Sequence, residues 1–318
     1  MMILNQSTET VNEQQVAEHS DNLELYLSQI GKIFDIPHII NEPLGKQQII
    51  DYYISGKFGF LLVFSVEGFY HYGISYDGKH KRDNFNEQAR IVEKYIHGSD
   101  SKNVLELAYG MGANTAFLAR RNPRVMFDGI DLSLKPLKRF TKFSNVNFKR
   151  GDYHDLSALE DDTYDVAFVV DALCFSTDKL QVLREVKKKL KRDGLFIVID
   201  GYRKDCAAPP NPSEETMLKL IERGWSLDKF ECVKDVEGYM RQEYSIVEAN
   251  DFSQNILPSE VKIARKVRYY FAHPMFARVV NKLVSFDVAK GSIAAYLAPI
   301  STRRDLLRYY VHILKNNR

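Results

Sequence analysis

Cysteine is scarce, with three residues in 318 (Cys174, Cys206 and Cys232), widely spaced and odd in number. That excludes a disulfide framework and a Cys-x-x-Cys zinc site. No stretch approaches the roughly 20 apolar residues that a membrane-spanning helix requires. The first residues are rich in Gln, Asn, Thr and Glu and show no basic-then-apolar leader pattern, so a cytoplasmic protein is expected. No HxxxH pair or carboxylate cluster argues for a bound metal, and no metal ligands are assigned; a Mg²⁺ ion carried by a substrate diphosphate stays open. Internal repeats are absent. A net charge of +2 gives no general drive toward nucleic acid.

What is present is an apolar content of 45%, ample for a core, and an uneven charge distribution. Residues 1–60 carry eight acidic and three basic side chains, and residues 260–318 carry twelve basic and three acidic. Two solvated faces that dock on one another explain this, as does attraction of the C-terminal region to an anionic substrate or to a membrane surface.

The stretch Asn103–Asn114 organises the chain. Val104, Leu105 and Leu107 read as a buried strand, Gly110 and Gly112 break it, and Ala113–Arg121 restores helical spacing. Strand, glycine turn and helix form the first unit of a nucleotide-binding α/β fold, in which the backbone approaches a ligand closely and the helix offers unpaired N–H groups. A second apolar run, Val125–Ile130, ends at Asp131, where a carboxylate can accept hydrogen bonds from both hydroxyls of a ribose.

On either side the chain is expected to divide into a disordered tail (1–19), an N-terminal cap segment (20–83) and a main domain (84–318). Ser20 could cap a helix with Leu23, Leu27 and Ile30 on its apolar face, and a second helix is expected over Leu44–Ile54. Phe58–Tyr76 is dense in aromatics, and Asn84–Tyr95 is a third helix. Strands follow at Val104–Leu107, Val125–Ile130, Val146–Lys149, Val166–Val170 and Leu195–Asp200, with helices at Ala113–Arg121, Leu134–Phe140 and Asp178–Leu190 between them. This rhythm predicts a doubly wound, parallel sheet covered on both faces. Asn211-Pro212-Ser213-Glu214 marks a helix start, with the helix reaching about Arg223. Gln242–Glu248 and Leu306–Leu314 complete seven strands. The mainly helical residues 251–300 between the last two are expected to lie across the ligand-binding edge as a lid.

A dinucleotide fold would want Gly-x-Gly-x-x-Gly, and the third position here is Thr115. The pattern Glu106-x-Ala108-x-Gly110-x-Gly112 instead resembles motif I of class I S-adenosylmethionine-dependent methyltransferases, with Ala108 in place of the first glycine. Gly151-Asp152-Tyr153-His154-Asp155-Leu156 resembles the same family's Gly-Asp-x-x-x-Leu, whose aspartate accepts from the adenine amine. Tyr164–Lys179 is similar to motif IV and its sequel. The relatives with Cys-His or Cys-Tyr at this point include sterol and tocopherol enzymes; Phe175 stands where their histidine often stands, and Cys174 is read as a packing residue. Val66–Ile74 resembles the stretch before motif I in geranyl diphosphate and sterol C-methyltransferases, and Asn250–Pro258 resembles a segment of the tocopherol-type enzymes.

The resemblance implies a Rossmann-like domain that binds S-adenosylmethionine through Glu106, Ala108, Tyr109, Gly110, Gly112, Asn114, Asp131, Leu132, Asp152, Tyr153 and Asp171. It also implies a lipophilic, isoprenoid-like acceptor methylated at carbon, with a polar amine or hydroxyl acceptor as the alternative. Attack by an alkene leaves a carbocation, which aromatic faces stabilise. Tyr70, Tyr72, Tyr109, Tyr269, Tyr270 and Phe271 are candidates, although each also reads as packing. His71 is the leading base, followed by Glu67, with Tyr72 beside them. Arg265, Lys266 and Arg268 are available for a diphosphate or other acidic head. A nicotinamide oxidoreductase and a non-catalytic cofactor-binding protein complete the range.

Overall fold

The computed structural model describes residues 22–318 apart from 64, 66, 133–134 and 206–208, with backbone alone at 46, 55 and 57–63. The tail at 1–19, the Ser20 cap, Phe64 and Cys206 lie outside the described residues, as do the side chains of Phe58 and Phe60.

Three helices come first: α1 (Leu23–Gly31), α2 (Ile36–Asn41) and α3 (Lys46–Val63). Asn22 caps α1 through the Leu25 amide, and Asp35 caps α2 through the His38 amide, with Pro37 in the first turn. The α2 helix was not expected, and α3 runs nine residues beyond the Ile54 end expected for it. A 3₁₀ turn (Arg82–Asn86) leads into α4 (Glu87–Gly98).

The alternating core then runs β1 (Asn103–Leu107), α5 (Ala113–Arg121), β2 (Met126–Asp131), β3 (Val146–Arg150), β4 (Tyr164–Val170), α6 (Lys179–Lys189) and β5 (Leu190–Arg203). The expected helix at Leu134–Phe140 does not form over Lys135–Phe140. The Leu137 amide instead donates to the Met111 carbonyl at 3.0 Å, so the segment braces the glycine loop. Next come α7 (Pro212–Gly224), whose Asn211/Glu214 capping box forms as the sequence indicates, and α8 (Val233–Glu243), which was not expected. The chain ends with β6 (Tyr244–Asp251), α9 (Ser253–Ala272), α10 (Pro274–Val280), α11 (Phe286–Arg303) and β7 (Leu307–Asn316).

The seven strands form one sheet in the order β3-β2-β1-β4-β5-β7-β6. The first five pair in parallel, as the strand–helix rhythm predicts, whereas β7 is antiparallel to both β5 and β6. The reason is visible at the insertion. The Phe252 amide donates to the Tyr309 carbonyl at 2.7 Å, and the Tyr309 amide donates to Ser253 Oγ at 2.9 Å. Helices α9–α11 therefore leave and rejoin the sheet at one edge, and the strand that follows must run back.

Side chains alternate between two apolar layers as strand geometry demands. Val104, Val166, Phe168, Ile197 and Val311 pack on the face of α4, α5, α7, α9 and α11. Leu105, Ala167, Val169, Phe196 and Val198 pack on that of α6 and α8. The carboxyl ends of β1, β2, β4 and β5 remain as the edge on which a site can be built.

Candidate active site at the carboxyl edge of the sheet

The turn after β1 is left-handed at three alternate positions: Ala108 (φ +54°), Gly110 (+56°) and Gly112 (+84°). An alanine there costs on the order of 1 kcal/mol, which is the physical content of the departure at Ala108. Space is as tight as conformation. A Cβ on Gly110 would stand 2.8 Å from Tyr70 Cδ2, and one on Gly112 would stand 2.7 Å from Phe148 Cζ. The Gly110 amide donates to Asp131 Oδ2 at 3.0 Å, which fixes the loop against the end of β2.

A first cavity opens beside this loop, lined by Ala108, Gly110, Ile130, Asp131, Leu132, Gly151, Tyr153, Val170, Asp171 and Ala172, with Ile49, Ile50 and Tyr53 of α3 across it. Asp131 is the polar group at the end of β2, between apolar walls from Ile130 and Leu132. A carboxylate acceptor between apolar walls suits a ribose beside a flat base, so the residues present fit a nucleoside.

Other expected cofactor residues stand further back. Glu106 is buried and accepts from the Thr115 amide (3.1 Å), the Thr115 hydroxyl and Asn114 Nδ2 (3.4 Å); it braces the first turn of α5 and does not line the cavity. Burial pushes its carboxyl pKa up to about 8. Tyr109 packs on Phe148, with ring centroids 4.6 Å apart. Asp152 Oδ1 is held by the His154 amide (3.0 Å) and His154 Nδ1 (2.8 Å), so its neighbours Gly151 and Tyr153 form the wall in its place. Tyr153 is fixed by its hydroxyl, which donates to the Ala172 carbonyl at 3.1 Å.

A second cavity, with about 770 Å³ of atom-free space including its mouth, adjoins the first. Tyr53, Tyr70, Asp171 and Phe175 line both. Its walls are aromatic (Tyr52, Tyr72, Tyr202, Trp225, Phe230, Tyr309), with Ser253, Ile256 and Glu260 of α9 and Thr302 of α11 closing it. Three carboxyl groups face this space. Asp200 accepts from the Cys174 and Gly201 amides at 2.9 and 2.8 Å. Glu260 accepts from the Thr302 hydroxyl at 3.0 Å, and burial raises its pKa to about 8. Asp171 sits at φ +49°, its pKa pushed well up by burial and next by Asp200, with a Tyr309 hydrogen bond acting against both. Asp171 Oδ1 and Glu260 Oε2 are buried without a hydrogen-bond partner. The Cys174 thiol is held far above its usual range by burial and by Asp200 and Asp171, as befits a packing residue.

The expected acid–base residues divide. Tyr72 lines the second cavity; His71 and Glu67 line neither. His71 is buried against Phe69 and Phe85, with Nδ1 3.1 Å from the Tyr72 carbonyl and Nε2 3.3 Å from Asn114 Oδ1. Burial drops its pKa to about 4, leaving it neutral. Glu67 is paired with Arg82 at 2.7 Å. Of the insertion aromatics, Tyr269 is exposed, and Tyr270 and Phe271 are core, with Phe271 stacked on Tyr296 at 4.3 Å. Arg265, Lys266 and Arg268 are exposed and line neither cavity. The cation that does reach the second cavity, Arg308, is paired with Asp251 and Asp305, each at 2.6 Å.

Sequence reasoning missed Tyr52, Tyr53, Asp200, Trp225 and Glu260. A signal existed for Asp200 alone, which ends the fifth strand at the edge where Asp131 and Asp171 end theirs.

Residues 105–198 match the family model described as a methyltransferase domain. Demethylmenaquinone methyltransferase of Thermotoga maritima is 31% identical over 128 residues, which make up 40% of this chain and 52% of that protein. The chain thus spans about half the length of this curated relative. Among solved structures, the [4+2]-cyclase SpnF superposes with a TM-score of 0.63 at 16% identity, over 84% of this chain and 92% of that one. Geranyl diphosphate C-methyltransferase from Streptomyces coelicolor gives 0.59 at 14% identity, over 85% and 97%. At such identities the structures establish the fold. The cyclase, which shares it, is a reminder that fold and reaction are separate matters.

Proposed function

We propose that this chain, with its methyltransferase domain and Rossmann-like fold, is an S-adenosylmethionine-dependent methyltransferase of a lipophilic small molecule. The observation that carries the reading is the junction: the cavity beside Gly110 and Asp131 shares Tyr53, Tyr70, Asp171 and Phe175 with an adjoining aromatic one. The cofactor, when bound, supplies an electrophilic methyl group on sulfonium sulfur. Asp131 holds the ribose, Leu132, Gly151 and Tyr153 enclose the base, and Gly110 keeps the loop clear of it. Catalysis by the chain is then a matter of alignment at the junction and exclusion of water by α3 and α9.

For the acceptor, the walls favour an isoprenoid-like or polycyclic skeleton methylated at carbon. The faces of Tyr70, Tyr72 and Trp225 each offer a developing cation roughly 0.5–2 kcal/mol. A diphosphate head is disfavoured, because the cation that lines the space, Arg308, is already committed to Asp251 and Asp305. With His71 off the cavity, Asp171 is the group at the junction able to take a proton. A second reading, an amine acceptor, is favoured by the buried Asp171 Oδ1 and Glu260 Oε2, which an ammonium N–H would satisfy.

Calorimetric titration with S-adenosylhomocysteine against NAD(P)H tests the cofactor. Transfer of a labelled methyl group to sterols, chromanols and prenyl alcohols, run beside amines and phenols, tests the acceptor. Tighter binding of NAD(P)H would overturn the first part, and activity confined to the polar set would overturn the lipophilic one.

A further inference from the structure

Between Val261 and Phe286 the sequence carries six basic residues, Lys262, Arg265, Lys266, Arg268, Arg278 and Lys282, and no acidic one. The fold gathers large apolar side chains on the same surface. In α10, Ala277 faces the core while Met275, Phe276 and Val279 turn outward. Leu283, in the turn that follows, is 81% exposed and Met275 72% exposed, and Tyr269 and Phe286 are exposed as well. The aromatics are organised: Tyr269 stacks on His273 with ring centroids at 3.9 Å and meets Phe276 edge-on at 5.2 Å. The base of the patch is tied down by the Tyr270 hydroxyl, which donates to Asn281 Oδ1 at 2.6 Å. Monomeric soluble proteins seldom leave so many large apolar groups together in water.

Charge decides what covers it. Among the described residues, no carboxylate pairs with Lys262, Arg265, Arg268, Arg278 or Lys282; the nearby ion pairs join Lys290 to Glu42 and to Asp287. Exposed apolar and aromatic groups on a segment whose charged side chains are all cationic are complementary to an anionic lipid surface, with the apolar groups entering the headgroup boundary and the cations meeting phosphate. A self-complementary contact between two copies would bring these cations together. No helix among the described residues is long and apolar enough to cross a membrane, so the contact is peripheral. We propose that α10 and its flanking turns form an interfacial docking surface for an anionic bilayer.

Vesicle sedimentation tests this with the full chain, comparing phosphatidylcholine alone with phosphatidylcholine containing phosphatidylglycerol. Binding to the anionic vesicles at least tenfold tighter, weakened by salt, is expected. A double Phe276→Ser, Leu283→Ser variant and a double Arg278→Gln, Lys282→Gln variant should each lose about tenfold. In a Phe276→Trp variant, brominated lipid should quench the added indole, a direct readout that needs no loss of function. Equal binding to both vesicle types, no quenching, or a concentration-dependent dimer abolished by Phe276→Ser and Leu283→Ser would each overturn the proposal.

Discussion

Tyr70 rests on Gly110 so closely that a single added Cβ would approach its ring to 2.8 Å. This contact joins the two cavities, because Tyr70 lines both and Gly110 lines the first. Gly110→Ala must therefore either push Tyr70 into the junction or shift the loop, on top of the left-handed strain of about 1–2 kcal/mol. The expected outcome is a lower Tm together with loss of cofactor binding, read by thermal melting and calorimetry. An unchanged affinity would mean that the loop lies outside the cofactor site.

Asp131 has two jobs, holding the Gly110 amide and facing the cavity. Asp131→Ala should weaken S-adenosylmethionine at least tenfold, about 1.4 kcal/mol. Asp131→Asn keeps an acceptor for Gly110 and should restore folding more than affinity. Asp152→Ala should be milder, since its carboxylate is engaged with His154. Calorimetry on all three variants checks the ranking.

The sheet was legible because its strands are short apolar runs between helical periods, and β1, α5 and α7 stand where spacing and capping put them. The antiparallel β7 was not, since strand direction depends on where an insertion rejoins the sheet. In the site, Asp131, Gly110 and Asp171 could be read from position relative to strand ends. Glu106 and Asp152 occupy the motif positions, but Glu106 is turned to Thr115 and Asp152 Oδ1 to His154. His71 lies in a stretch dense in aromatics, and only packing reveals that Phe69 and Phe85 enclose it. Trp225 and Glu260 come from distant elements, and no local signal marks which helical face meets a cavity.

Burial sets opposite pH trends at two sites. His71 has its pKa lowered from 6.5 to about 4, so the unfolded chain binds more protons between these values and stability falls as pH drops through them, by about 3 kcal/mol in all. Glu260 is raised from 4.5 to about 8; here the native state binds more protons, and stability is lost as pH rises from 4.5 through 8. Urea titrations from pH 4 to 9 should show His71→Gln flattening the acid limb and Glu260→Gln the alkaline one. Unchanged slopes would place both groups in contact with solvent.

The chain's one tryptophan, Trp225, lines the second cavity, with Tyr72 and Phe230 around it at 6.2 and 6.0 Å. Its emission is therefore a site-specific reporter. The first cavity is not lined by Trp225, so S-adenosylhomocysteine alone should change the spectrum little, whereas an acceptor should quench or shift it. Hydrogen exchange supplies the companion measurement. Ser253–Glu260 and α3 contribute to the cavity walls, and their amides should slow when cofactor and acceptor bind together. The buried residues Ile293–Thr302 of α11 are core and should be slow throughout. A large response of Trp225 to cofactor alone would merge the two cavities into a single cofactor site, and the acceptor would then have to bind elsewhere.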